Sequence, residues 1–153
     1  MTHEVVTQWM GKMQFNALVD GHTVMMDAPE RSGGEHQAPI PKPLLLTALS
    51  GCTGMDVVAL LRKKGKVLDS FDIKVEGTLS KTAHIQYTAI HIVYEIDCDG
   101  PMIQDVIDAV NESQEKYCGV SAMLKKIIPV TWEIKYNNKV VYNNKPEIET
   151  VSN

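Results

Sequence analysis

Cys52 and Cys118 are the residues whose surroundings could do chemistry: one sits inside a long apolar segment, the other at the start of a short amphipathic one. A thiol pair on two helices either packs a core or carries redox chemistry, and the neighbours favour the second. Ala48, Ser50, Gly51, Thr53 and Gly54 keep bulk away from Cys52, as admission of a substrate requires. Cys118 stands where a helix can begin, and free backbone N–H groups there favour a thiolate. Asp56 lies one turn beyond Cys52 on the same helical face, and a charge in an apolar helix needs a partner. The competing reading is that each sulfur is a small core hydrophobe. Cys98, in Ile96-Asp97-Cys98-Asp99-Gly100, is flanked by acids that suppress thiol reactivity, and it reads as structural.

Other chemistries lack their signatures. His3, His22, His36, His84 and His91 are scattered, and no CxxC, HxxxH or HExxH spacing occurs. The sequence therefore predicts no metal and no cofactor. No phosphate loop and no dinucleotide glycine fingerprint is present. A net charge of −4 and two arginines, Arg31 and Arg62, argue against a nucleic-acid surface. The N-terminus lacks the basic and apolar regions of a signal peptide, and three cysteines point to a reducing compartment. A cytoplasmic protein is expected. The apolar run 44–61 approaches membrane-spanning length, but Thr47, Ser50, Thr53 and Asp56 interrupt it, so a buried helix and no membrane partner are expected.

The elements that must position the thiols follow from pattern. Residues 4–10, 13–19 and 22–27 read as a strand meander, with Gly11-Lys12 and Asp20-Gly21 as turns. Residues 28–43 form a loop, interrupted by Gly33-Gly34 and by Pro39, Pro41 and Pro43. A helix over 44–64 ends at Gly65 after Arg62, Lys63 and Lys64. It is apolar nearly all round, which predicts enclosure by the chain or by a partner subunit. Strands follow at 71–76 and 84–97, with a turn over 78–82 between them. A helix opens at Met102 with the stripe Ile103, Val106, Ile107 and Val110, breaks near Tyr117, and gives way to a short helix ending around Lys126. Strands 130–136 and 140–142 flank an Asn137-Asn138 turn. The order predicts an α+β fold with segregated elements, as one domain over 1–143 with a polar tail over 144–153.

Two stretches carry a family resemblance: Pro41-Lys-Pro-Leu-Leu-Leu-Thr-Ala-Leu-Ser-Gly-Cys52 and Tyr117-Cys-Gly-Val-Ser121. At these the chain resembles the OsmC/Ohr family of thiol-dependent peroxidases, in which a proline-led helix carries the reactive cysteine and a Cys-Pro-Val-Ser segment the second. The resemblance implies an OsmC-like fold, with antiparallel sheets packed around long central helices in an intertwined homodimer. It implies that Cys52 attacks a peroxide oxygen, forms a sulfenic acid, and condenses with Cys118 to a disulfide that a cellular dithiol reduces. Gly119 stands in place of the family's proline, and Lys42 in place of its acid. Arg31 is the stand-in for the family's thiolate-holding arginine, with Glu30 or Glu35 supporting it and Lys42 favouring the anion. Asp56 completes the set as a substrate-binding or thiolate-supporting group. The alternative keeps the fold without turnover: an apolar pocket would bind a small hydrophobic ligand, with Cys52 as a packing residue or redox sensor.

Overall fold

The computed structural model describes residues 1–146, and the expected tail beyond that point lies outside the described residues. The chain divides into two compact units, Met1–Leu45 and the remainder from Leu46. The first unit is a three-stranded antiparallel meander of β1 (Val5–Gly11), β2 (Gln14–Val19) and β3 (His22–Met26). Asp20 and Gly21 both take positive φ, 49° and 78°, the conformation that a tight hairpin matched to strand twist requires. The following loop holds one short 3-10 turn, Glu30–Ser32. Asp27 organises that loop, its carboxylate accepting from the N–H groups of Ala28, Glu35 and Gln37. Those bonds, led by the one from Gln37, hold the Asp27 carboxyl below the usual carboxylate range. Gly34 is required here, because a Cβ would lie 1.9 Å from the Ala28 carbonyl oxygen.

The second unit carries a four-stranded sheet of β4 (Ser70–Leu79), β5 (Tyr87–Asp97), β6 (Val130–Tyr136) and β7 (Lys139–Asn143), in that spatial order. The long helix α1 (Leu44–Lys63) leads into it, and α2 (Ile103–Glu112) and α3 (Gly119–Leu124) connect β5 to β6. That helical crossover makes the β5–β6 pairing parallel, against the expectation of wholly antiparallel sheets; the other pairings are antiparallel. β4 extends past the expected 71–76 to Leu79, and β5 begins at Tyr87 rather than His84. The connection is tied by Ser80, whose N–H donates to the Gln86 carbonyl and whose Oγ donates to that of His84. Asn137 and Asn138, at φ 47° and 62°, turn β6 back into β7.

The core of this unit gathers Leu49, Val57 and Leu61 of α1, Ile90, Ile92, Tyr94 and Ile96 of β5, Val106 and Val110 of α2, and alternate residues of β6. α1 ends as the basic last turn and Gly65 predict: the Gly65 N–H bonds the Arg62 carbonyl and the Lys66 N–H that of Leu61, with Gly65 at φ 69°. By length and composition α1 could cross a membrane, yet here one stripe of it, Leu49, Thr53, Val57 and Leu61, is buried on the core. The opposite side is open at Met55, which is 71% exposed, and the first turn is open at Leu45, which is 52% exposed.

Candidate active site

Three chemically active side chains from distant parts of the sequence meet in the second unit. Cys52 and Asp56 sit one turn apart on α1, and Cys118 is the N-cap of α3; the two sulfurs and an Asp56 carboxylate oxygen all lie within 4.8 Å of one another. None of the three cysteines is in a disulfide. Cys52 is half-buried, whereas Cys118 is only 2% exposed. The pair is thus asymmetric in burial, with Cys52 partly exposed as a residue and Cys118 enclosed.

A five-residue π-helical turn, Ser113–Tyr117, joins α2 to Cys118. It aims both Ser113 and Gln114 into the interior, where each is essentially buried. Ser113 Oγ donates to Asp56 Oδ2 at 3.0 Å, which is the partner the carboxylate needs. Ser113 Oγ also lies 2.8 Å from Thr53 Oγ1, which in turn lies 2.7 Å from the Tyr94 hydroxyl. Gln114 Nε2 donates to Tyr94 Oη at 2.6 Å and to Thr53 Oγ1 at 3.2 Å, while its Oε1 accepts from Ser121 Oγ at 2.6 Å. The Ser121 N–H closes the circuit, reaching Cys118 Sγ at 3.4 Å. Burial of this network pushes the Tyr94 phenol far up, so that it remains a neutral hydroxyl.

The electrostatics of Cys118 correct the expectation of a thiolate there. The Ser121 N–H does favour the anion, but desolvation and a hydrogen bond with Cys52 outweigh it, and the thiol is pushed up to about 12. The Asp56 charge acts in the same direction. Cys118 is therefore held as a thiol beside Cys52. Lys125 is the cation that this part of the fold supplies. Its Nζ donates to the Gln114 carbonyl at 2.6 Å and lies 4.5 Å over the Trp132 ring, with its pKa lowered by burial.

The other sequence-predicted residues lie in the first unit. Arg31 is in the 3-10 turn, Glu35 pairs with Lys12, and Lys42 stands two residues before the start of α1. The small residues around Cys52 also prove mixed in purpose. A Cβ on Gly54 would lie 2.8 Å from Ile73 Cδ1, so this glycine faces β4, where a larger side chain would have to displace the end of Ile73. Cys98 packs as expected, its Sγ donating to the Tyr136 hydroxyl at 2.8 Å. Sequence reasoning missed Ser113, Gln114, Tyr94 and Lys125 as neighbours of the thiols. The signal was available for the first two, since the stripe Val106, Val110 continues onto positions 113 and 114, where polar side chains replace apolar ones.

The arrangement defines a class: an α+β protein whose two cysteines, on separate helices, converge on one carboxylate. The family model for OsmC-like protein matches residues 33–133, and the chain belongs to that family. It is 31% identical over 127 residues to Protein YhfA of Escherichia coli K12, covering 81% of this chain and 90% of that one. Among solved structures, it is similar to a hypothetical protein from Aquifex aeolicus at 26% identity and TM-score 0.75, covering 89% of this chain and 98% of that one. The organic hydroperoxide resistance protein OhrB of Bacillus subtilis shares the fold, with TM-score 0.60 at 16% identity, over 88% of this chain and 98% of that one.

Proposed function

We propose that the protein is a thiol-dependent peroxidase acting on organic hydroperoxides or hydrogen peroxide. The observation that carries this reading is the approach of two cysteine sulfurs to within 4.8 Å, one on a partly exposed residue and the other on a buried one. In the proposed cycle the Cys52 thiolate attacks the outer peroxide oxygen, releasing an alcohol or water and leaving a sulfenic acid. Cys118 then condenses with it, expelling water and forming a disulfide. A dithiol reductant restores both thiols and leaves as its own disulfide. The sulfurs need to close to about 2.05 Å for that bond. The thiol held at Cys118 suits it to the second step, in which it waits until Cys52 is oxidised.

In this reading Arg31, with Lys42 and Glu35, stabilises the thiolate and its transition state. Support for a homodimer comes from exposed apolar surface: Met55 and Leu45 on α1, and Val5, Trp9, Leu18 and Met25 in the first unit. A reducing cytoplasm would supply the dithiol. A specific observation also favours a second reading, binding of a small hydrophobic ligand. An open groove of about 440 Å³ runs along α1, lined by Gly51, Met55, Val58, Phe71 and Ile73.

The test is hydroperoxide consumption by the reduced full-length protein with a dithiol reductant, followed by mass spectrometry for the Cys52–Cys118 disulfide. Turnover that falls to background in Cys52→Ser and survives in Cys98→Ser supports the peroxidase. No consumption and no such disulfide would leave the ligand-binding reading. Sedimentation equilibrium checks the dimer, and a monomer at micromolar concentration would contradict it.

A further inference from the structure

Asp56 is badly placed for a pure thiolate centre. A carboxylate within 4.8 Å of two sulfurs sets a like charge beside any thiolate formed there, yet the fold holds it in place. Ser113 Oγ orients it through Oδ2, Thr53 Oγ1 holds Ser113, and the Tyr94 hydroxyl holds Thr53. Two sulfurs and a carboxylate oxygen within 4.8 Å of one another form a soft donor set with one harder member. Such a set suits a thiophilic divalent cation. In a tetrahedral zinc site, Zn–S bonds of about 2.3 Å place two sulfurs about 3.8 Å apart, so the side chains need to move by only about 1 Å to close on an ion. The supporting bonds, Ser113 to the carboxylate and the Ser121 N–H to Cys118, resemble the outer-shell contacts that orient metal ligands. Residue spacing gave no hint of this, because the donors come from two segments 62 residues apart at their closest, Asp56 and Cys118.

We propose that the reduced protein binds one zinc ion through Cys52 Sγ, Cys118 Sγ and an Asp56 carboxylate oxygen, leaving the fourth position to solvent. Binding breaks two S–H bonds and forms two Zn–S bonds, and both protons go to water; nothing is oxidised. The consequence for catalysis rests on the peroxidase reading above. Zinc holds both sulfurs and blocks the disulfide. An organic hydroperoxide that reaches the site takes two electrons from the thiolates and, with two protons, becomes alcohol and water as the disulfide forms and Zn2+ leaves. The same residues then constitute a zinc store that opens on oxidation.

The experiment is calorimetric titration of the reduced full-length protein with Zn2+ alone, paired with Co2+ absorption spectra, which report sulfur ligation through a charge-transfer band. One ion per chain is expected, with that band present for cobalt. Cys52→Ser, Cys118→Ser and Asp56→Asn should each weaken binding by at least about tenfold, in line with loss of one ligand, and Cys98→Ser should leave it unchanged. Should a cysteine variant fold poorly, zinc protection of wild-type Cys52 and Cys118 from alkylation gives the same answer. Stoichiometric binding that persists in the Cys52 and Cys118 variants, a cobalt complex without the band, or equal alkylation with and without zinc each overturns the site. Zinc binding without hydroperoxide turnover removes the peroxidase and keeps the site; turnover without zinc binding does the reverse.

Discussion

The second unit buries two cysteines almost equally, Cys98 at 5% exposure and Cys118 at 2%, and gives them opposite prospects. Cys98 is enclosed by groups that only hydrogen-bond. Its sulfur donates to Tyr136 Oη, that hydroxyl donates to the Gly100 carbonyl, and the Met102 N–H donates to Tyr136 Oη at 3.4 Å. Cys118 instead has another sulfur and a carboxylate within 4.8 Å, both on partly exposed residues. Burial alone therefore does not separate a structural thiol from a reactive one. What separates them is whether a second redox-capable atom shares the pocket.

The largest effect that tests this contrast is on turnover. Cys118→Ser should stop recycling after one oxidation, leaving a Cys52 sulfenic acid trappable by dimedone, while Cys98→Ser should cycle at the wild-type rate. Equal loss in both variants would erase the distinction. Stability comes next. Tyr94→Phe removes the hydroxyl shared by Thr53 and Gln114, and stranding those buried groups should cost about 1–3 kcal/mol in denaturant unfolding. Tyr136→Phe leaves the Cys98 thiol and the Met102 N–H short of an acceptor and should cost about 1–2 kcal/mol, with hydroperoxide turnover unaffected.

Alkaline pH sharpens the comparison further. The folded chain keeps the Cys118 proton up to about 12, whereas an unfolded chain gives it up near the ordinary thiol value of 9.0. The stability that Cys118 contributes is complete below that lower value and is lost as pH rises from it toward the upper one. Unfolding midpoints should fall across that window in the wild type and less steeply in Cys118→Ser. The smallest effect concerns the residue after Cys118. A Cβ at Gly119 meets nothing within 4 Å, and Cys118 is extended at ψ 101°, so Gly119→Pro should fit at the first helical position and stabilise by about 0.4–1 kcal/mol.

Local signals in the sequence were enough for much of the fold. The proline-led start and basic, glycine-terminated end of α1 place it within a residue of where it lies, and Asp20-Gly21 and Asn137-Asn138 mark hairpins because few residues accept positive φ. The start of β5 was misjudged because Ile85 and Tyr87 alternate as a strand does, yet Ile85 is 54% exposed in the Ser80-tied loop. The convergence of positions 52 and 118 is a tertiary fact, which no periodicity could supply; only the resemblance suggested it. The polar circuit around Tyr94 and Gln114 is hidden for the same reason, since the bonds that join Tyr94, Thr53 and Gln114 span 20 to 61 residues of sequence.

The wide turn Ser113–Tyr117 has a consequence for how this gene could vary. Ser113, Gln114 and Cys118 depend on the slack that a π turn adds to an α register. Deleting Glu115 or Lys116 would let the segment close as plain α-helix, whereas one added residue would rotate everything beyond it by about 100°. Cys118 would then face away from α1, so an in-frame insertion of one codon is expected to silence the centre while leaving every side chain named here intact.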